Sequence, residues 1–147
     1  MIQLTDQLKR MGGILVINVW RGGVLVDRIE EGNLIVNGAK TQLARLIGGD
    51  GASRHITHFG AGVGTSPATP DNASLQGAVW KPVSSVSYPD TGKAQFNWNL
   101  TTADANGLAL TEFGLRCADG TLFSRKQRAP INKAGDIALS GTWTILF

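Results

Sequence analysis

The amino-acid sequence predicts a mainly β domain: an antiparallel β-sandwich, jelly-roll-like or a partly open barrel, with one short helix around residues 38–47. Three observations predict it. Glycine is abundant, at 19 of 147 residues, while runs of helix-favouring Ala, Glu, Lys and Leu are scarce. Several short segments alternate apolar with polar residues, the period of a half-buried strand. Tight-turn residues separate most of those segments. A doubly wound α/β fold needs several crossover helices, and the pattern supplies one.

Met1 to Gly13 reads as an arm, with a single β-sandwich domain over 14–147. Leu4, Leu8 and Met11 fall at i, i+4 and i+7, one face of a helix of about three turns. A helix that short is marginal alone in water and needs a docking surface, on its own domain or on a neighbour. Ile14 to Trp20 and Val24 to Ile29 flank Arg21-Gly22-Gly23, which predicts a β-hairpin. Asn37 is placed to cap a helix whose apolar positions Ala39, Leu43, Leu46 and Ile47 share a face, with Gly48 and Gly49 as its stop.

From His55 onward the pattern is almost entirely β. Ile56 to Val63 predicts a short strand interrupted by glycines, and Thr65 to Asn72, with Pro67 and Pro70, an extended surface loop. Lys81 to Tyr88 and Lys93 to Thr102 predict two strands joined at Pro89-Asp90-Thr91-Gly92. In the second, Ala94, Phe96, Trp98 and Leu100 point one way. Leu108 to Cys117 and Thr121 to Arg125 predict a further pair, turning at Ala118-Asp119-Gly120. The last strand puts Ile137, Leu139, Trp143, Ile145 and Phe147 on one face. About eight strands result.

Composition narrows the function classes. Hydrophobic residues at 42% and charged residues at 17% suit a globular chain rather than a disordered one. A net charge of +3 is modest beside that of a dedicated DNA-binding domain. The single cysteine, Cys117, excludes an intramolecular disulfide. Met1 to Met11 lacks the apolar centre of a signal peptide, and no apolar run reaches the ~20 residues of a membrane span. The expectation is a chain made and folded in a cytoplasm, which leaves the sequons at Asn72 and Asn99 without meaning.

No pattern assembles a catalytic or metal site, so the expectation is a non-enzyme without cofactor. His55 and His58, three apart on a strand, fall on opposite faces, and no Cys or carboxylate cluster lies nearby in sequence. Gly60 to Gly64 resembles a phosphate-binding loop but runs into Thr-Ser-Pro rather than a helix, which favours a bend or bulge. Cys117 has no His or Lys neighbour to activate it. Asp104, Glu112 and Asp119 are scattered. Arg125, Lys126 and Arg128 form the one dense basic cluster, read as a strand end or a salt-bridge patch between subunits rather than a nucleic-acid site.

Several segments in order carry a resemblance. They are Asn33-Leu-Ile-Val-Asn-Gly-Ala-Lys40, His55-Ile-Thr-His-Phe-Gly-Ala-Gly-Val-Gly64 with its Thr-Ser-Pro continuation, and Asn106-Gly-Leu-Ala-Leu-Thr-Glu-Phe-Gly-Leu115. Gly120-Thr-Leu-Phe-Ser-Arg125, Ile131-Asn-Lys133 and Gly141-Thr-Trp-Thr-Ile-Leu-Phe147 complete it. Together they resemble small structural proteins of tailed bacteriophages and the N-terminal parts of tail-fibre and baseplate proteins. The resemblance implies a virion subunit at a tail, baseplate or fibre junction, acting through homo-oligomeric and protein–protein contacts in the assembled particle. Since a fibre would continue into a shaft beyond Phe147, a stand-alone adaptor, baseplate or decoration subunit is expected. The partners expected are other virion proteins, with no specific nucleic acid and no membrane. The residues expected to meet them are Leu4, Leu8, Met11, Arg125, Lys126 and Arg128. A capsid decoration (cement) protein is the alternative. A carbohydrate-binding module is the second alternative, with Trp20, Trp80, Trp98 and Trp143 as stacking faces, although Trp98 and Trp143 lie on apolar strand faces.

Overall fold

The computed structural model of the chain describes residues 11–147. Nine strands and one helix follow in the order β1 (Gly12–Arg21), β2 (Val24–Ile35), α1 (Asn37–Ile47), β3 (Ile56–Gly62), β4 (Val79–Pro82), β5 (Ser85–Ser87), β6 (Lys93–Leu100), β7 (Ala109–Cys117), β8 (Leu122–Asn132) and β9 (Ile137–Leu146). All strand pairs are antiparallel, in one sheet of order β4-β3-β7-β8-β2-β1-β9-β6-β5. The mainly β fold with one short helix is therefore as predicted. The sheet curls into a half-barrel.

Local chemistry explains the first hairpin. Leu15, Ile17 and Val19 alternate inward along β1, and Gly22 (φ 57°) and Gly23 (φ 79°) both take the left-handed backbone that a two-residue hairpin turn requires. Curling follows from two corners. β2 pairs with β1 over most of its length, then passes Leu34 and Ile35 to β8. At the other corner, β4 and β5 lie at opposite ends of the strand order, yet only Val83 and Ser84 separate them in sequence. Val83 N donates to Thr57 O at 2.9 Å and Ser84 N to Asn97 O at 2.8 Å, so consecutive residues bind the two ends of the sheet.

The core fills the space between the facing halves. Phe59 of β3 stacks on Trp98 of β6 with ring centroids 3.9 Å apart, and Trp143 of β9 meets Phe59 edge-on at 6.2 Å. Leu15, Leu100, Phe113, Leu115, Leu139 and Ile145 close around these rings. Helix α1 lies over the start of β8. Gly38 sits so near the Leu122 carbonyl that a Cβ there would come within 2.6 Å of it.

Several expectations are corrected. Asn37 is the first helical residue rather than the cap: Val36 holds the cap position, and Asn37 Nδ2 donates to Asp71 Oδ1. The buried helix face is Ala39 and Gln42, whereas Ile47 is 88% exposed and Leu46 is also exposed. The segment from Lys81 to Tyr88 is two strands, because Val83 and Ser84 bond to different neighbours. β2 and β8 run well past their expected ends, to Ile35 and Asn132. Phe147 is exposed beyond the end of β9. β1 begins at Gly12, two residues before Ile14. Leu4 and Leu8 lie outside the described residues, as does most of the expected arm helix. Met11 is half-buried just before β1.

Candidate functional site

β7 is buried nearly throughout, although it carries Glu112. The loop from Val63 to Ala78 accounts for this by covering the outer face of the β3–β7–β8 half. Glu112 and Arg125 hold it there. Arg125 Nε lies 3.6 Å from Glu112 Oε1, with the two side chains only 3% and 1% exposed. The Arg125 guanidinium also donates to Asn72 Oδ1 at 3.0 Å and to Ser66 O at 2.9 Å, and Gln76 N donates to Glu112 Oε1 at 3.2 Å. Thr111 Oγ1 donates to Gly64 O at 2.8 Å. A buried charge needs this density of partners, because an unpaired one would keep its whole desolvation penalty.

The glycines of this face make room rather than bends. Gly60, Gly62, Gly64 and Gly114 are absent from the left-handed backbone positions. A Cβ on Gly60 would meet the Trp80 ring at 2.5 Å, and one on Gly64 would overlap the Glu112 carboxylate. Trp80 lies flat on Gly60, with the Arg116 guanidinium 4.3 Å from its ring centroid on β7. The indole is half-buried between the strand beneath it and this cation. Trp98 and Trp143 are buried in the core. Trp20 differs: its Nε1 donates to Ser140 Oγ, and its ring borders an open cleft with Gly22, Thr102 and Asp136.

The basic cluster divides. Arg125 points into the clasp just described and is closed to any partner. Lys126 and Arg128 both reach across to β2, where Lys126 Nζ lies 3.1 Å from Glu31 Oε2 and Arg128 Nε 3.2 Å from Oε1. Burial works to raise the Glu31 carboxyl. Hydrogen bonds from Lys126 and Arg128 overcome it and hold the group below its ordinary range. The two cations share one carboxylate, which leaves the cluster with one net positive charge.

His55 and His58 are not brought together as a site. His55 lines an apolar groove with Leu46, Phe96 and Phe147, while His58 stands across the strand pair from Arg116 and bonds Thr57 Oγ1. Burial, then the Arg116 charge, lowers the His58 pKa. Burial pushes the Cys117 thiol up to about 11, so it is protonated and inert. Asp104 receives Lys81 Nζ at 2.6 Å, a link between β4 and the loop after β6. Among the described residues no three His, Cys, Asp or Glu side chains group as metal ligands.

Sequence reasoning missed the pairing of Glu112 with Arg125 and the burial of Lys133, whose Nζ donates to Asn106 Oδ1 at 2.9 Å and Ala134 O at 3.2 Å. A signal for the first was present: Glu112 interrupts an apolar strand, although in sequence it is simply one of three scattered carboxylates. For Lys133 no local pattern exists. In comparisons with known proteins, no family model matches the chain, and no curated protein and no solved structure matches it significantly.

Proposed function

We infer that the chain is a non-enzymatic structural subunit of a tailed-phage particle, working at a tail, baseplate or fibre junction through contacts between protein chains. One observation carries this reading. The segments behind the resemblance to phage structural proteins, Gly60 to Gly64, Glu112 to Leu115 and Leu122 to Arg125, converge on one buried clasp that pins a loop to the sheet. Residues shared for that purpose define an architecture rather than a reaction. Exposed apolar residues lie elsewhere, at Val24 to Val26 and at Ile47 with Phe147, where contacts between chains would form.

Particles purified by density gradient from a host producing a tagged chain test the reading. The expected result is the tag in the particle band and gold label at the tail. A tag that stays in the soluble fraction overturns it, and label spread over the head replaces the tail assignment with capsid decoration.

A further inference from the structure

We propose that a second copy of this chain pairs with the outer edge of β2, strand against strand, about a two-fold axis at Ile29. The proposal rests on the reading of the chain as a self-assembling subunit and names the surface that assembles.

β2 pairs with β1 on one side from Val24 to Asn33, with a bulge that leaves Val26 unpaired. Among the described residues, its other side meets a strand only at Leu34 and Ile35, where β8 joins and then diverges. From Val24 to Gly32 the outer edge therefore has no backbone pairing, although the side chains of Lys126 and Arg128 reach Glu31 from β8. Long open edges are templates for pairing. The other edges are blunted: β4 is four residues ending in Pro82, β5 is three residues, and β8 carries Pro130 in its last turn of pairing. β2 has no proline, and Val24, Leu25 and Val26 stand 63%, 46% and 53% exposed along it.

Charge identifies the occupant as a second copy and selects the register. In a two-fold antiparallel pair, one residue faces its own counterpart at the axis. Placing Asp27, Arg28 or Glu30 there sets like charges directly opposite, which destabilises a sheet. With Ile29 at the axis, two isoleucines meet on the side that continues the core. Arg28 then faces Glu30 of the second copy, and Glu30 faces its Arg28. Asp27 faces Glu31 of the second copy, whose carboxylate already lies between Lys126 and Arg128. Two carboxylates thus meet two cations at each end. The paired stretch thus runs from Asp27 to Glu31, between the bulge at Val26 and the join to β8 at Leu34.

The test measures the mass of the purified full-length chain by sedimentation over a range of concentrations. Wild type is expected to approach twice its monomer mass reversibly. Arg28→Glu and Glu30→Arg should each weaken association by about tenfold, because symmetry introduces the repulsion twice. R28E/E30R should restore it. Both side chains are half exposed and pair with each other within one chain, so at concentrations where wild type is monomeric thermal unfolding should shift by about 0.5 kcal/mol or less in any variant. A chain monomeric at all concentrations overturns the proposal, as does a dimer indifferent to the single reversals or one that the double reversal fails to restore. Hydrogen exchange on wild type gives an independent measure: dimerisation should protect amides from Asp27 to Glu31, and protection confined to other surfaces overturns it. A dimer that survives R28E but is lost without residues 1–10 assigns the contact to that segment instead. Particle incorporation is read separately, so a β2 dimer absent from particles would sink the functional reading and leave this one standing.

Discussion

Trp143 shows how much one side chain carries. Fully enclosed and edge-on to Phe59, it joins the two halves of the core. Trp143→Ala should cost roughly 3–5 kcal/mol, the usual loss for a large buried aromatic. Thr144 lies on the other face of the same strand and makes one side-chain bond, to Gln95. Thr144→Ala should cost about 1 kcal/mol or less. Equal losses in urea unfolding would mean that β9 faces the other way. The Glu112–Arg125 pair obeys a different rule. Arg125→Leu strands a buried carboxylate and should cost about 3–5 kcal/mol, whereas Glu112→Leu/Arg125→Leu removes both charges and should cost less than the single change. A double variant weaker than either single in the same measurement would show that the clasp is stabilised by attraction rather than by avoided isolation.

At the scale of elements, α1 is fastened by a polar side chain rather than an apolar stripe. Gln42 Nε2 donates to both carboxylate oxygens of Asp119, at 2.8 and 2.9 Å, and its Oε1 accepts from Arg54 at 2.8 Å. Gln42→Ala leaves those groups without a partner and should cost about 1–3 kcal/mol. Ile47→Lys, on the exposed last turn, should stay within about 0.5 kcal/mol of wild type. Thermal unfolding of the two variants decides the matter, and the reverse order would restore the leucine-isoleucine face that periodicity suggests. The helix reads amphipathic from its spacing because Leu43 is half-buried beside Ala39. Its C-terminal turn leaves Leu46 and Ile47 exposed, and spacing contains no information about how far the surface beneath covers a face.

For the whole molecule, ion pairs bridge both corners of the curled sheet. Lys81–Asp104 ties β4 to the chain leaving β6, and Glu31 ties β2 to β8 through Lys126 and Arg128. The hydrogen bond from Lys81 holds the Asp104 carboxyl below its ordinary 3.8, and Glu31 is held below 4.5 by its two cations against the opposing effect of burial. A carboxyl whose folded pKa lies below its unfolded one stabilises the fold fully above the unfolded value and loses that contribution as pH falls through the folded value. Denaturant midpoints should therefore drop between about pH 5 and pH 3, with Asp104→Asn flattening the drop. Hydrogen exchange should show β4 and the outer part of β2 opening before the aromatic core. A flat profile over that range would mean that the corners are held by backbone bonds alone.

The sequence by itself determined which residues build the core and what kind of fold they make. Alternation at period two is dictated by strand geometry, so Phe96, Trp98, Leu139, Trp143 and Ile145 were legible as inward residues before any partner strand was known. Turn chemistry was equally local, which is why the Gly22-Gly23 hairpin was legible as well. Tertiary structure alone decided what depends on residues distant in the chain. It divided Lys81 to Tyr88 between two ends of one sheet, because closing the curl requires consecutive amides to bond to different neighbours. It buried Arg125 and left Lys126 and Arg128 near the surface, because adjacent strand residues point to opposite faces and only one of those faces is covered by the loop. It exposed the edge of β2, because β8 turns away after two pairs. Each of these depends on which strands become neighbours, and that is set by packing over the whole chain rather than by any pattern within a segment.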